Sequence, residues 1–165
     1  MEVSIIEQNV HPFPPIYDSK SKVLILGTFP SVKSREGEFY YHHPQNRFWK
    51  VLSEICRDSL PDTIEEKKQL LLRNGIAVWD VIKSCEITGS ADSSIKNVTV
   101  NDLEDILSYA EIRQIYANGS KAYQLYMKYI YPEIKREIIK LPSTSPANAS
   151  YSLEKLIEFW SCILI

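Results

Sequence analysis

The sequence predicts an α/β protein: a three-layer α/β/α sandwich built on a mostly parallel, four-stranded central sheet. Three observations predict it. Short apolar runs bounded by turn residues recur along the chain, as parallel strands buried on both faces require. Helix-periodic segments separate these runs, so each connection can cross over one face of the sheet. The length of 165 residues, with 44% hydrophobic and 24% charged residues, suits one globular core, and a single domain over 1–165 is expected.

The elements follow in order. The first 20 residues form an expected extended arm, because His11 to Asp18 contains Pro12, Pro14 and Pro15 and cannot continue a helix. "KVLILGTFPS" is the first buried strand, apolar from Val23 to Leu26 and ended by Gly27 and Pro30. A helix opens near Asn46, with Phe48, Trp49, Val51, Leu52 and Ile55 on one face. "PDTIEEKKQLLLRNG" has acids early, bases late and Asn74-Gly75 as its stop, the polarity of a helix. "GIAVWDVI" reads as the second strand, "GSADSSIKN" as a loop, and Val100 to Tyr109 as a helix. "EIRQIYANG" is the third strand, and the helix after it presents Ala122, Leu125, Tyr126 and Tyr129 on one face. "EIIKLPSTSPANAS" is the fourth strand with a Ser/Pro-rich exit, and "LEKLIEFWSCILI" closes the chain as an amphipathic helix.

In such sheets ligands bind outside the carboxyl ends of the strands. Those ends are "GTFPS", "DVIKS", "ANGS" and "LPSTSPAN", so these four polar segments are expected along one rim. Common nucleotide cradles are missing: neither a G-x-x-x-x-G-K-[ST] nor a G-x-G-x-x-G pattern occurs, and the chain has only five glycines. A G-x-S-x-G elbow is also missing, and no histidine follows the serine-rich loop, which argues against a serine hydrolase. Cys56, Cys85 and Cys162 lack C-x-x-C spacing, and the adjacent His42 and His43 point in different directions, so neither a metal nor a cofactor is expected. Unpaired cysteines and the lack of a leader-like or membrane-spanning run fit a cytoplasmic protein. The net charge of −2 draws no nucleic acid by itself. Binding to phosphate then needs a local patch, for which Lys33, Arg35, Lys96, Lys121 and Lys140 lie near the expected rim.

Within that frame, "LILGTFPSVKSREGEFYYHHPQNRFWKVL" and "LPSTSPAN" carry a resemblance. Together with "WDVIKSCEITGSADSSI" and "IYANGSKA", they resemble the uracil-DNA glycosylase superfamily, in particular its hypoxanthine-DNA glycosylase branch. The agreement runs from about Lys22 to Trp160, in order. It implies a uracil-DNA glycosylase-like fold and removal of a deaminated base from DNA. The departures point to the substrate: Phe29 stands where mismatch-specific uracil enzymes have the asparagine that positions water, and Leu141 where uracil-specific enzymes have a histidine.

The resemblance implies that Asn46, of His-Pro-x-Asn, takes over catalysis by holding a water beneath C1′ of the sugar. The plain alternative is an N-cap, for which asparagine is favoured. Base excision takes a nucleotide out of the stack and into a pocket with flat walls. Tyr41 is the expected stacker, with Phe29 or Phe39 covering the pocket floor, although Phe39 and Tyr40 serve equally well as core. Asn118 offers a donor and an acceptor to the O6/N1 edge of hypoxanthine, or else forms an Asn-Gly turn. Ser143, Thr144 and Ser145 are expected at DNA phosphates and the minor groove, assisted by Ser31 and by Ser93 and Ser94; ordinary Ser/Thr capping is the alternative. No lysine falls in a motif from which it could attack C1′, so a monofunctional, monomeric enzyme acting on DNA with a deaminated base is expected. The rivals are a uracil or xanthine glycosylase, an inactive DNA-binding module, and a nucleoside hydrolase or esterase.

Overall fold

The computed structural model describes residues 7–165; residues 1–6 of the expected arm lie outside the described residues. The central sheet has four parallel strands in the order β3-β2-β6-β7: β2 (Val23–Gly27), β3 (Ile76–Asp80), β6 (Gln114–Asn118) and β7 (Ile138–Leu141). After β2 the chain moves to one side for β3 and then returns to the other for β6. The switch point therefore falls between β2 and β6, where a crevice opens at the strand ends.

Side-chain alternation along β2 explains the three layers. Val23 and Ile25 enter one core with Phe48, Leu52, Leu71 and Trp160, whereas Leu24 and Leu26 enter the other with Ile106, Ala122 and Tyr126. Full burial of each such aliphatic side chain contributes about 1.5–3 kcal/mol. The first core is covered by α2 (Phe48–Ile55), α3 (Ile64–Arg73) and α7 (Leu153–Trp160). The second is covered by α4 (Glu104–Tyr109) and α5 (Ser120–Leu125). Local signals set the helix ends: Thr63 Oγ1 caps α3 by accepting from Glu66 N at 3.1 Å, and Ser152 Oγ caps α7 by accepting from Lys155 N at 3.2 Å. Gly75, at φ 67°, turns the chain out of α3 into β3.

The structure departs from expectation in several places. The run "GIAVWDVI" is not one strand. β3 stops at Asp80, and the chain bends into β4 (Ile82–Ile87), which pairs antiparallel with β1 (Glu7–Val10) and β5 (Lys96–Val100) in a second sheet. Buried Asn101 holds this corner: its Nδ2 donates to the carbonyls of Asp80 and Ile82, and its backbone N to that of Val81. The expected loop "GSADSSIKN" thus contains a 3₁₀ turn (Asp92–Ser94) and the start of β5, and Val100 ends that strand instead of opening a helix. The arm contributes β1 before crossing to β3, where Ile16 bridges Val78. A short helix, α1 (Val32–Gly37), was not expected from the sequence pattern. After α5 the helix widens into a π turn (Tyr126–Ile130) before α6 (Tyr131–Ile134), which rotates the following side chains. Ile130, 5% exposed, is packed inward in place of Tyr129, which is 36% exposed. Among the described residues no helix is long and apolar enough to cross a membrane.

Candidate active site

A cavity of about 490 Å³ opens at the carboxyl ends of the central strands. Its floor follows from strand register. Gly27 of β2 pairs with Asp80 of β3, while Leu26 pairs with Ala117, which sets Asn118 of β6 on the other flank of Gly27. A Cβ on Gly27 would lie 2.3 Å from Asp80 Oδ1 and 2.9 Å from the Tyr41 hydroxyl. Only glycine leaves space there for both groups.

Around this floor the structure brings together Phe29, Ser31, Tyr41, Asn46, Asn118, Ser143, Thr144 and Ser145. Phe39 is not among the lining residues. It is 3% exposed and stacks on Trp49, with centroids 5.9 Å apart and planes at 16°. Tyr40 lines the cavity instead, its hydroxyl donating to Pro14 O at 2.9 Å. The strand-end segment "DVIKS" contributes only Asp80, because Lys83 and Ser84 have already entered β4.

The two asparagines are joined by Thr144, which is fully buried. Its Oγ1 donates to Asn46 Oδ1 at 2.9 Å and accepts from Asn118 Nδ2 at 3.0 Å, while its backbone N donates to Asn118 Oδ1 at 3.1 Å. Asn46 Oδ1 also accepts from Phe48 N at 2.9 Å at the start of α2. Asn46, one residue before the N-cap Arg47, therefore holds the first N–H of α2 and lines the cavity at once. With its oxygen occupied twice, its Nδ2 amino group is the part available to a ligand.

Tyr41 adopts a left-handed backbone, φ 51°, and stacks on Phe48 with centroids 3.9 Å apart and planes at 24°. One ring face is thus covered. Its buried hydroxyl has no well-formed hydrogen bond. Burial first, and Asp80's negative charge second, push the phenol well above its ordinary pKa, with the Asn118 side chain pulling the other way. Phe29 forms a second apolar wall, with the Arg35 guanidinium 5.7 Å from its centroid.

The hydroxyl loop is built as a rigid strand-to-helix connection. Ser143 Oγ accepts from Ser145 N at 3.1 Å, and Ser145 Oγ accepts from Ala147 N at 3.2 Å. Gly119, at φ 97°, approaches so closely that a Cβ there would meet Ser143 Cβ at 3.1 Å. From the other side Arg47 clamps the loop, donating to the carbonyls of Tyr151, Ser145 (3.2 Å) and Asn148 (3.0 Å). Ser31 caps α1 by accepting from Ser34 N at 3.2 Å. Ser93 and Ser94 lie outside the cavity; their neighbour Ser90 lines it, and its Oγ accepts from Val32 N at 2.9 Å. Of the proposed basic residues, Lys33 pairs with Glu36 at 3.8 Å, Arg35 donates to Gly89 O at 2.6 Å, and Lys140 borders an adjoining groove.

Sequence reasoning missed Asp80, Arg47 and Ser90. Asp80 closed an apolar run and gave no separate signal, and Arg47 acts on a loop about a hundred positions away.

Residues 14–163 match the Uracil DNA glycosylase superfamily. The chain belongs to this superfamily. Two curated relatives, both named hypoxanthine DNA glycosylase, come from Methanosarcina. The Methanosarcina acetivorans protein is 34% identical over 155 residues, covering 92% of this chain and 95% of its own. The Methanosarcina barkeri protein is 33% identical over 112 residues, covering 67% of this chain and 71% of its own. A solution NMR structure of a Methanosarcina acetivorans protein described as a uracil DNA glycosylase superposes with a TM-score of 0.79, at 32% identity over 92% of this chain and 94% of that one. The superfamily fold thus agrees with the α/β architecture.

Proposed function

We propose that this superfamily member is a DNA glycosylase that hydrolyses the N-glycosidic bond of deoxyinosine in DNA, releasing hypoxanthine and leaving an abasic site. The observation that carries the reading is the Asn46–Thr144–Asn118 network, which fixes two amides around one cavity with aromatic walls. The relatives named hypoxanthine DNA glycosylase support the same substrate. Phe29 in place of an amide at the first strand end supports hypoxanthine over uracil.

The inosine nucleotide leaves the stack and its base enters between Tyr41 and Phe29. Asn118 Nδ2 has one N–H on Thr144 and a second to donate to O6. Asn46 Nδ2 holds a water below C1′, which converts an encounter with solvent into a positioned attack. As the C1′–N9 bond breaks, the base leaves with the bonding electrons and takes up a proton. The water oxygen bonds to C1′ and loses its extra proton to solvent. Ser31, Ser143 and Ser145 hold the flanking phosphates. The whole chain serves as one catalytic domain, acting as a cytoplasmic monomer; its three unpaired cysteines fit a reducing compartment.

The test is a labelled duplex with one deoxyinosine beside a matched deoxyuridine duplex, each treated with alkali after incubation. Alkali-dependent cleavage at inosine is the expected result, and Asn46→Ala removes it while leaving DNA affinity intact. Cleavage at uridine alone, or at neither, overturns the reading.

A further inference from the structure

The mechanism leaves unused one buried carboxylate in the cavity. Asp80 ends β3 with its side chain 5% exposed, and its Oδ2 accepts from His11 Nε2 at 2.7 Å. Burying an ionised carboxylate without full hydrogen bonding is costly. A carboxylate accepts about four hydrogen bonds, and the one that His11 donates goes to Oδ2. Oδ1 lies against Gly27, in the space a Cβ would fill, and the residue lines the cavity floor.

His11 is equally deliberate. Its side chain is 4% exposed, with its ring edge-on to Phe13 (centroids 4.7 Å apart) and to Phe29 (6.1 Å). Its backbone N donates to Lys83 O at 2.7 Å, tying it to the second sheet. The N-terminal segment thus delivers its donor to Oδ2, the other oxygen being the one against Gly27.

Asp80 and Asn118 stand on opposite flanks of Gly27, two strand spacings apart, or about 10 Å between Cα atoms. The interval presents an acceptor from Asp80 and a donor from Asn118 on either side of Gly27, which has no side chain of its own and carries the Tyr41 hydroxyl above it. This pattern is the complement of a lactam, in which a ring N–H adjoins a carbonyl. Adenine presents the reverse, with a ring acceptor beside an amino group, and sets a lone pair against the carboxylate.

We propose that Asp80 is a specificity-determining residue that accepts the lactam N1–H of the flipped base, and that His11 is the positioning residue that aims it. The inference rests on the reading of the cavity as a base pocket. It makes Asp80 the reader of the lactam edge that deamination of adenine creates, with adenine as the rejected alternative. Asp80 acts on entry and seating of the base. A negative charge beside the base opposes the charge that departs with it, so Asp80 does not assist the bond-breaking step.

The experiment uses the full chain and two duplexes with a non-hydrolysable 2′-fluoroarabino sugar at the lesion. One carries hypoxanthine and the other 1-methylhypoxanthine, each opposite an abasic analogue so that neither has a base pair to break. Wild type is expected to bind the first about ten- to a hundredfold more tightly, the range of a hydrogen bond to a charged acceptor. Asp80→Ala abolishes this contrast, and Asp80→Asn, which keeps the shape, reduces it severalfold if the alanine variant fails to fold. His11→Ala reduces the contrast, and His11→Gln, whose amide N–H replaces Nε2–H, restores it. With excision of ordinary deoxyinosine, Asp80→Asn raises KM more than it lowers kcat. An unchanged contrast in the Asp80 variants, an equal loss on both duplexes, or no contrast in wild type overturns the inference. Excision of deoxyinosine by wild type, measured alongside, tests the reaction separately, because the affinity contrast does not depend on turnover.

Discussion

Replacing Thr144 by valine removes one hydroxyl and keeps the side-chain shape. Two hydrogen bonds disappear: the one donated to Asn46 Oδ1 at 2.9 Å and the one accepted from Asn118 Nδ2 at 3.0 Å. Each is worth about 1 kcal/mol net, and leaving part of a buried amide unpaired adds to the loss, so stability should fall by about 2–3 kcal/mol. For a domain of this size each kcal/mol lowers the melting midpoint by about 2–4 °C, giving a fall of roughly 5–10 °C. The effect on rate should be larger in proportion. Asn46 keeps its bond from Phe48 N but loses its second restraint, and misplacement of a positioned water by about 1 Å costs on the order of a hundredfold. The assays are thermal denaturation by circular dichroism and single-turnover excision from a deoxyinosine duplex. Thr144→Ser is the control, since it keeps the hydroxyl and loses only a buried methyl, at about 1 kcal/mol, with the rate close to wild type. A valine variant as fast as wild type, or a serine variant as slow as valine, would refute the idea that this hydroxyl aims the two amides.

Gly27→Ala forces a Cβ to within 2.3 Å of Asp80 Oδ1, so it should cost about 1–3 kcal/mol of unfolding free energy, read from a lowered denaturant midpoint, and lower excision by at least tenfold. Arg47→Met removes three donors to the loop carbonyls and should lose about 2 kcal/mol, with faster amide exchange around Asn148 and Tyr151 by mass spectrometry. The phenols of Tyr40 and Tyr41 are held well above the ordinary value, by burial first and by Asp80's charge second. Above about pH 10 the unfolded chain therefore releases protons that the folded chain keeps. Their contribution to stability is complete below that pH and declines as pH rises. Phenolate absorbance followed against pH should show the Tyr40 and Tyr41 phenols ionising only on unfolding.

Much of the fold was legible because its signals are local. The unbroken apolar run of β2 required burial on both faces, and the Asn74-Gly75 stop ended α3 where expected. The antiparallel sheet was not legible. Register shifts between β4 and β5 break the period-two pattern, and β5 is half exposed, so neither periodicity nor hydropathy marked it. The three aromatics at 39–41 were alike in sequence, and their roles separated only through the backbone. The left-handed turn at Tyr41 brings its ring to the cavity with Tyr40, while Phe39 goes to Trp49.

By itself, the sequence determined the α/β layering and the rim on which the polar strand ends gather, because periodicity and turn chemistry act over a few residues. It also carried Asn46, Asn118 and the hydroxyl loop as residues expected together, and the structure brings them to one cavity. Only the tertiary structure decided which atoms meet. Thr144 reaches Asn46 across 98 positions, and His11 reaches Asp80 across 69. Such pairings depend on how strands and arm are laid side by side, a long-range outcome of packing that no local pattern records.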